Sequence, residues 1–459
     1  MTNFTIFVAI AIMAMISFAL VRQKSVAIVG GATQQLHSLP RYHGYFAAVR
    51  VFVPCMFLLL LWIVSGETVV ENLVIAGLPE SVKNVSSDQI SLILNKIQLA
   101  VQHGEASTTD ANILAAAEMY SSLYNKGLWA TFSLSLAVGL IGYYLSNSKT
   151  HPDYRARNSF EKAMSFALAA SSFLAIVVTL GIVASLIFES LRFFQQVPIQ
   201  DFLFGLHWSP QTALRADQVA SAGAFGSIPL FAGTFLISLL AMLVAGPIGL
   251  FAAIYLTQYA NHTVRAVAKP VLEILAGVPT VVYGFFAALT VAPMLRDAGG
   301  AIGVDVASES ALAAGLVMGV MIIPFVSSLS DDAITAVPSS LKDGSFALGA
   351  TKAETITQVL LPAALPGVVG AFLLAISRAI GETMIVVMAA GMRPNLTANP
   401  LEAVTTVTVQ IVALLTGDQE FDSPKTLSAF ALGLALFVIT LLLNVAALRM
   451  VRKYREAYD

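Results

Sequence analysis

The stretch Leu230-Phe-Ala-Gly-Thr-Phe-Leu-Ile-Ser-Leu-Leu-Ala-Met-Leu-Val-Ala-Gly-Pro-Ile-Gly-Leu-Phe-Ala-Ala-Ile-Tyr-Leu256 carries no charged residue. About 20 mainly apolar residues suffice for a helix to cross the hydrocarbon of a bilayer. Within that hydrocarbon only helices and closed barrels satisfy every backbone donor and acceptor. The run therefore reads as a membrane span. Working outward, comparable runs occur at Phe4–Val21, Phe46–Ser65, Gly127–Leu145, Met164–Phe188, Glu273–Pro293, Ala311–Leu329, Gly367–Ala390 and Leu427–Met450, which makes nine candidate spans. Composition agrees: of 459 residues, 57% are hydrophobic and 11% charged. Mean hydropathy is +0.80. A soluble domain carries roughly 25% charged residues, so this chain could not clothe a water-facing surface, and it reads as an all-α polytopic membrane protein. A net charge of −2 offers no basic field for nucleic acid. The single Cys55 excludes an intrachain disulfide framework and a multi-cysteine metal site.

Orientation follows from the cations. Of the 25 Lys and Arg, sixteen fall on one set of alternating loops, eight on the other, and Arg378 alone within a span. The sixteen lie on the shorter loops, which places the amino terminus outside and the carboxyl terminus in the cytoplasm. The first span has no basic residue before it and is followed by Arg22 and Lys24. That is the pattern of an uncleaved anchor rather than a cleaved signal.

Three blocks emerge. Residues 1–145 form a three-span leader with a long acidic outer loop, 66–126. In that loop Ser87 can start a helix running to His103, with Ile90, Leu94, Ile97 and Val101 on one face and Gly104 as its stop. Thr108 or Thr109 can cap a second helix ending near Lys126. The loop is either a solvated helical hairpin or a docking surface for an external partner. Residues 146–163 are a charged cytoplasmic connector. Residues 164–459 hold six spans and the motifs that carry chemistry.

The first of these is an absence. No G-x-x-x-x-G-K-[ST] occurs, so the chain has no P-loop for ATP. H-E-x-x-H is missing too, and no histidine lies within a long apolar run, so catalysis by this chain alone is not expected. The second is the cytoplasmic loop 330–366. It reads Pro338-Ser-Ser-Leu341-Lys-Asp343-Gly344-Ser345-Phe346-Ala-Leu348-Gly349-Ala-Thr351-Lys-Ala-Glu354, then Val359-Leu-Leu-Pro362. Ser339 or Ser340 can cap a short helix, which Gly349 ends in the left-handed conformation. Thr351 and Glu354 make a capping box that starts a second helix, and Pro362 is expected to stop it. Leu341, Phe346 and Leu348 then stand on a cytoplasmic projection, an arrangement suited to a socket in another protein.

This loop resembles the EAA coupling loop of binding-protein-dependent ABC importer permeases, E-A-A-x-x-x-G-x₉-I-x-L-P. Asp343, Gly344 and Ser345 stand for E-A-A, followed by Gly349, nine residues, Val359 and Leu361-Pro362. The spacing is intact, while the acid is Asp and the two alanines are Gly and Ser. Two further stretches, Leu275-Ala-Gly-Val-Pro-Thr-Val-Val-Tyr-Gly-Phe-Phe286 and Ser377-Arg-Ala-Ile-Gly-Glu-Thr-Met384, are similar to signatures of phosphate permeases of the PstC type. The resemblance covers 164–459. It implies a six-span, MetI-like permease core in the bacterial inner membrane, acting as a transporter subunit without an ATPase site of its own. The implied partners are a second permease subunit (PstA type), a cytoplasmic ATPase dimer (PstB type) that uses the ATP, and an external phosphate-binding protein (PstS type). Inorganic phosphate is the implied cargo, and no cofactor is bound by this chain.

Arg378 lies eleven residues inside the eighth span. At 1.5 Å per residue it sits roughly 16 Å in, near the midplane. A central Arg costs about 2.5–3.5 kcal/mol on insertion scales. Glu382, four residues on, can neutralise it from the same helix face, and the guanidinium fork suits phosphate oxygens. The pair is either a substrate station, with Arg378 attracting the anion and Glu382 holding the guanidinium when no phosphate is present, or a structural ion pair. Lesser signals are Gly223, Gly226 and Ser227 before the fifth span, a close-packing Gly315-x-x-x-Gly319, and Pro279 kinking the sixth span, where Thr280 and Tyr283 could line a pore. Other functional classes left open are a permease for another oxyanion or small solute, a gradient-driven secondary transporter, and a membrane scaffold for phosphate sensing.

Overall fold

The computed structural model describes residues 2–77, 87–103, 111–210, 223–416 and 422–455. Among them nine helices are long and apolar enough to cross a membrane. The chain divides into two compact units, Met1–Val177 and Val178–Asp459.

In the first unit the helices are α1 (Asn3–Ile28), α2 (Pro40–Gly77), α3 (Ser87–His103), α4 (Ala111–Ser148) and the first part of α5 (Ala156–Phe194). Thr2 and Thr5 form a capping box that starts α1. The expected outer loop is largely helical: α2 continues past Ser65 to Gly77, and α4 runs through Lys126 and Gly127 without a stop. Ile97 and Ala100 of α3 pack on Val70 and Val74 of α2 and on Ala116, Ala117 and Tyr120 of α4, while Val101 is exposed. The stop at Gly104 and the caps at Thr108 or Thr109 lie outside the described residues. Ile6 and Ile10 of α1 meet Cys55 and Leu59 of α2 and Leu128 of α4 in a second cluster.

The second unit contains the rest of α5, then α6 (Ile199–Phe204), the two-residue strand β1 (Trp208–Ser209) paired antiparallel with β2 (Ala224–Phe225), and α7 (Ile228–Ile254). A π-turn, Tyr255–Tyr259, closes α7. There follow α8 (His262–Ala276), α9 (Thr280–Phe286), a π-turn (Ala287–Val291), α10 (Ala292–Ala301), α11 (Ala311–Thr335), α12 (Ser339–Ala347), α13 (Lys352–Glu354), a π-turn (Thr355–Leu360), α14 (Leu361–Ile380), α15 (Met384–Ala389), α16 (Val407–Leu415) and α17 (Pro424–Arg455).

The core is the pairing of α7 with α11, which run parallel. Gly315 faces Leu240, Gly319 faces Val244, and Gly249 lies against Val326. Small residues let the backbones approach where lipid supplies no hydrophobic drive for helix association. α11 is the most buried span, and α14 packs antiparallel to it. An aromatic cluster of Phe193, Phe202, Trp208 and Phe225 with Leu230 and Leu427 seals the end of the unit where α7 and α17 begin.

Three sequence expectations are corrected. The sixth span starts at Thr280, not Glu273: Gly277-Val278-Pro279 breaks the chain, Glu273 belongs to α8, and Pro279 stands at the N-cap instead of kinking the span. Tyr283 does not line a pore, since it is buried and its hydroxyl donates to Leu275 O at 2.9 Å. The eighth span is interrupted. α14 ends at Ile380, and the chain resumes as the short α15 after Gly381-Glu382-Thr383.

Candidate transport site and coupling elbow

The loop expected to be an elbow is one. α12 is preceded by Pro338, whose fixed φ suits the turn. No serine side chain caps the helix, and Ser339 is its first residue. At the other end Gly349 has φ +86°. Gly349 N–H donates to Phe346 O at 3.0 Å and Ala350 N–H to Ser345 O at 3.2 Å, the two reciprocal bonds of a Schellman ending. Thr351 and Glu354 then close a full capping box: Thr351 N–H donates to Glu354 Oε2 at 2.8 Å and Glu354 N–H to Thr351 Oγ1 at 3.3 Å. Ser345 is buried, its hydroxyl 2.9 Å from that of Thr355, so the turn is latched from within.

On its open side the elbow presents Leu341, Phe346 and Leu348, which are 39%, 40% and 91% exposed, together with Asp343 and Gly344. Pro362 does not stop the second helix. It sits in the first turn of α14, in a helix continuous from Lys352 to Ile380. The preceding π-turn widens the backbone, so the missing N–H and the bulk of the ring are accommodated there.

Two lysines missed by sequence reasoning hold the elbow down. Lys342 Nζ donates to Gln258 Oε1 at 3.0 Å, and Lys352 Nζ lies 4.7 Å from the centroid of the Tyr259 ring. Both anchors belong to the π-turn that ends α7. Their sequence signal, the Tyr-x-x-x-Tyr run at the end of an apolar span, is too common to single out.

Arg378 lies in the last turn of α14, with its guanidinium carbon 5.7 Å from the Phe325 ring centroid. Phe325 is fourteen residues from the start of α11 and ten from its end, so at 1.5 Å per residue Arg378 stands about 21 Å from one end of that span and about 15 Å from the other. This is mid-span.

The expected neutralising pair is absent. Among the described residues Arg378 forms no ion pair, because Gly381 ends the helix and destroys the i,i+4 register on which the pairing depended. Glu382 instead brackets the break. Its Oε1 accepts from Met384 N–H at 3.1 Å and Ile385 N–H at 3.5 Å, starting α15, while its backbone carbonyl accepts from Thr408 Oγ1 of α16 at 2.9 Å. The carboxylate is placed where the amino-terminal dipole of a helix favours negative charge.

The segment 390–404 returns along the start of α11. Ser310, Ala311 and Leu312 donate to the carbonyls of Ala389, Glu402 and Pro400 at 3.0, 3.1 and 2.8 Å. Thr406 then caps α16, whose Val407 N–H donates to Thr234 Oγ1 at 3.1 Å. The outcome is a broken span with an exposed guanidinium at its break that has no ion pair among the described residues. At membrane depth non-helical backbone is tolerated only where it is buried in protein or lines a watery cavity, and Arg378 at that depth requires a polar neighbour across the surface it faces.

Two family models match this chain. Residues 7–178 match the model described as Phosphate ATP-binding cassette transporter, and residues 245–456 the one described as Binding-protein-dependent transport system inner membrane component. The first of these overlies the leader, for which the sequence motifs offered no assignment. Among curated proteins, the Probable ABC transporter permease protein YqgH of Bacillus subtilis is 35% identical over 245 residues, covering 53% of this chain and 74% of the relative. The Phosphate transport system permease protein PstC 1 of Mycobacterium tuberculosis is 33% identical over 278 residues, 55% of this chain and 81% of the relative. PstC of Pasteurella multocida is 30% identical, covering 59% and 86%. A solved structure of the MetNI methionine ABC transporter, inward facing, overlaps 50% of this chain and 94% of its own at 20% identity and a TM-score of 0.36, too slight a likeness to argue from. With identities of 30% or more across more than two thirds of these permeases, the chain belongs to the PstC family of binding-protein-dependent ABC transport permeases.

Proposed function

We propose that this chain is the membrane-spanning permease subunit of an ATP-driven importer of inorganic phosphate. The observation that carries this reading is Arg378, a mid-span guanidinium at the break between α14 and α15 without an ion pair among the described residues. A planar fork of donors binds phosphate oxygens in bidentate fashion, and at mid-span an uncompensated cation costs about 2.5–3.5 kcal/mol unless an anion or a polar pathway meets it. Glu382 shapes the station by starting α15 and leaves the guanidinium free for the passing anion. The amino terminus lies outside, and α12 faces the cytoplasm of a bacterial inner membrane. An external binding protein of the PstS type delivers phosphate. A second permease of the PstA type faces the Arg378 surface, and a PstB-type ATPase dimer receives Leu341, Phe346 and Leu348. Because the chain has no P-loop, the stroke comes from that dimer and enters through the elbow.

Phosphate uptake by cells carrying Arg378→Lys and Arg378→Ala tests the station, with surface expression measured in parallel. Uptake falls in both, and further in Ala. Wild-type uptake in both variants overturns the role of Arg378. Uptake that survives a hydrolysis-dead ATPase partner replaces the ATP-driven reading with a gradient-driven carrier.

A further inference from the structure

Asp331 lies four residues before the end of α11 and is 4% exposed. Its Oδ1 and Oδ2 accept from Arg265 Nη2 at 3.1 and 3.2 Å, and Oδ2 also accepts from Lys269 Nζ at 2.9 Å. Arg265 and Lys269 are four residues apart on α8, so both donors come from one helix face. Hydrogen bonding to Asp331 raises the Lys269 pKa above the ordinary lysine value.

The clamp sits at a junction. Only Ala336, Val337 and Pro338 separate α11 from the elbow helix α12. The elbow is tied by Lys342 and Lys352 to the π-turn Tyr255–Tyr259, and that turn leads through Ala260 and Asn261 into α8. α8 continues through Gly277-Val278-Pro279 into α9, whose Gly284 lies so close to α15 that an added Cβ would stand 3.1 Å from Met384 O. Met384 begins the helix that Glu382 starts, beside the break. The void next to the clamp, about 20 Å³ and bordered by Leu256, Leu272, Glu273 and Pro324, has room for about one water. A phosphate does not fit in that void.

We propose that Asp331 is a positioning residue that binds α8 to α11 as one moving body, so that displacement of the elbow α12 passes through α8 and α9 to the broken span. This rests on the reading of the chain as an ATP-driven phosphate permease. Without the clamp, α12 still moves with its ATPase, but α8 no longer follows α11, and hydrolysis runs without transport.

The test uses the assembled transporter in liposomes, with ATP hydrolysis and phosphate uptake measured on the same vesicles. Asp331→Asn keeps the shape and removes the charge. Arg265 and Lys269 are more than a third exposed and remain solvated. The expected result is near-normal hydrolysis, with phosphate moved per ATP lower by on the order of tenfold. Asp331→Glu, which keeps the carboxylate that Arg265 and Lys269 both grip, holds the ratio near the wild-type value. Should Asp331→Asn fail to assemble, Lys269→Gln, which leaves Asp331 one donor, shows a smaller loss of the same ratio. A parallel fall in uptake and hydrolysis, or an unchanged ratio, overturns the proposal. Wild-type vesicles without ATP-dependent phosphate uptake would overturn the parent reading instead.

Discussion

Two glycines five residues apart in the elbow should respond to alanine in opposite directions. At Gly349 the backbone has φ +86°, and a Cβ built there meets nothing within 4 Å. The cost of Gly349→Ala is therefore purely conformational, about 1–2 kcal/mol for placing an L-residue in the left-handed region. At Gly344, inside α12, the added Cβ also meets nothing. There the helix already has ordinary dihedrals, and Ala stabilises it over Gly by about 0.5–1 kcal/mol. The amides that report on the elbow are Leu348 N–H, bonded to Gly344 O at 3.1 Å, and Ala350 N–H, bonded to Ser345 O at 3.2 Å. Hydrogen exchange of the purified full-length protein, followed by mass spectrometry over 339–355, measures their opening. Gly349→Ala should accelerate exchange by about 5- to 30-fold, the factor corresponding to 1–2 kcal/mol. Gly344→Ala should slow it by a few-fold. If both variants shift the same way, or Gly349→Ala exchanges like the wild type, the Schellman ending is not what holds the elbow.

At the α7–α11 seam, Gly319→Ala puts a Cβ 2.8 Å from that of Val244 and 2.9 Å from Ala241 O. It should destabilise by about 1–3 kcal/mol, read as a lowered thermal midpoint in detergent. Gln410→Ala leaves the buried Trp208 Nε1–H without the acceptor it now has at 3.1 Å. A loss of about 1–3 kcal/mol is expected by the same assay. Leu348→Asp changes a side chain that is 91% exposed, so the thermal midpoint should stay put while co-purification of the ATPase with the chain falls. Undiminished co-purification would remove Leu348 from the docking face.

The spans were legible because each is a local property: twenty apolar residues must be helical in lipid wherever they sit. The elbow was legible for the same reason. Gly349 and the Thr351–Glu354 box act within a few residues of themselves, and both ends of the turn have the hydrogen bonds their sequence requires. The errors arose where a local rule met a non-local alternative. Pro362 breaks a helix only if the backbone around it is regular, and a π-turn precedes it. Arg378 and Glu382 are four apart in sequence, but that spacing brings them together only in an unbroken helix.

The clamp on Asp331 had a visible clue in Arg265 and Lys269, four apart on a helix with exposed Val267, Val271 and Ile274. Nothing in that spacing named the carboxylate more than sixty residues away that both would grip.

By itself, then, the chain's chemistry determined which stretches are long and apolar enough to cross a membrane and where its elbow turns. Tertiary packing alone decided that the eighth span breaks beside its only cation, that Glu382 is occupied in starting the next helix, and that α8 is bound to α11. Hydrophobic burial and capping depend on near neighbours along the chain. The partner of a charge depends on which helices lie side by side, and that is set by the small residues of the α7–α11 seam.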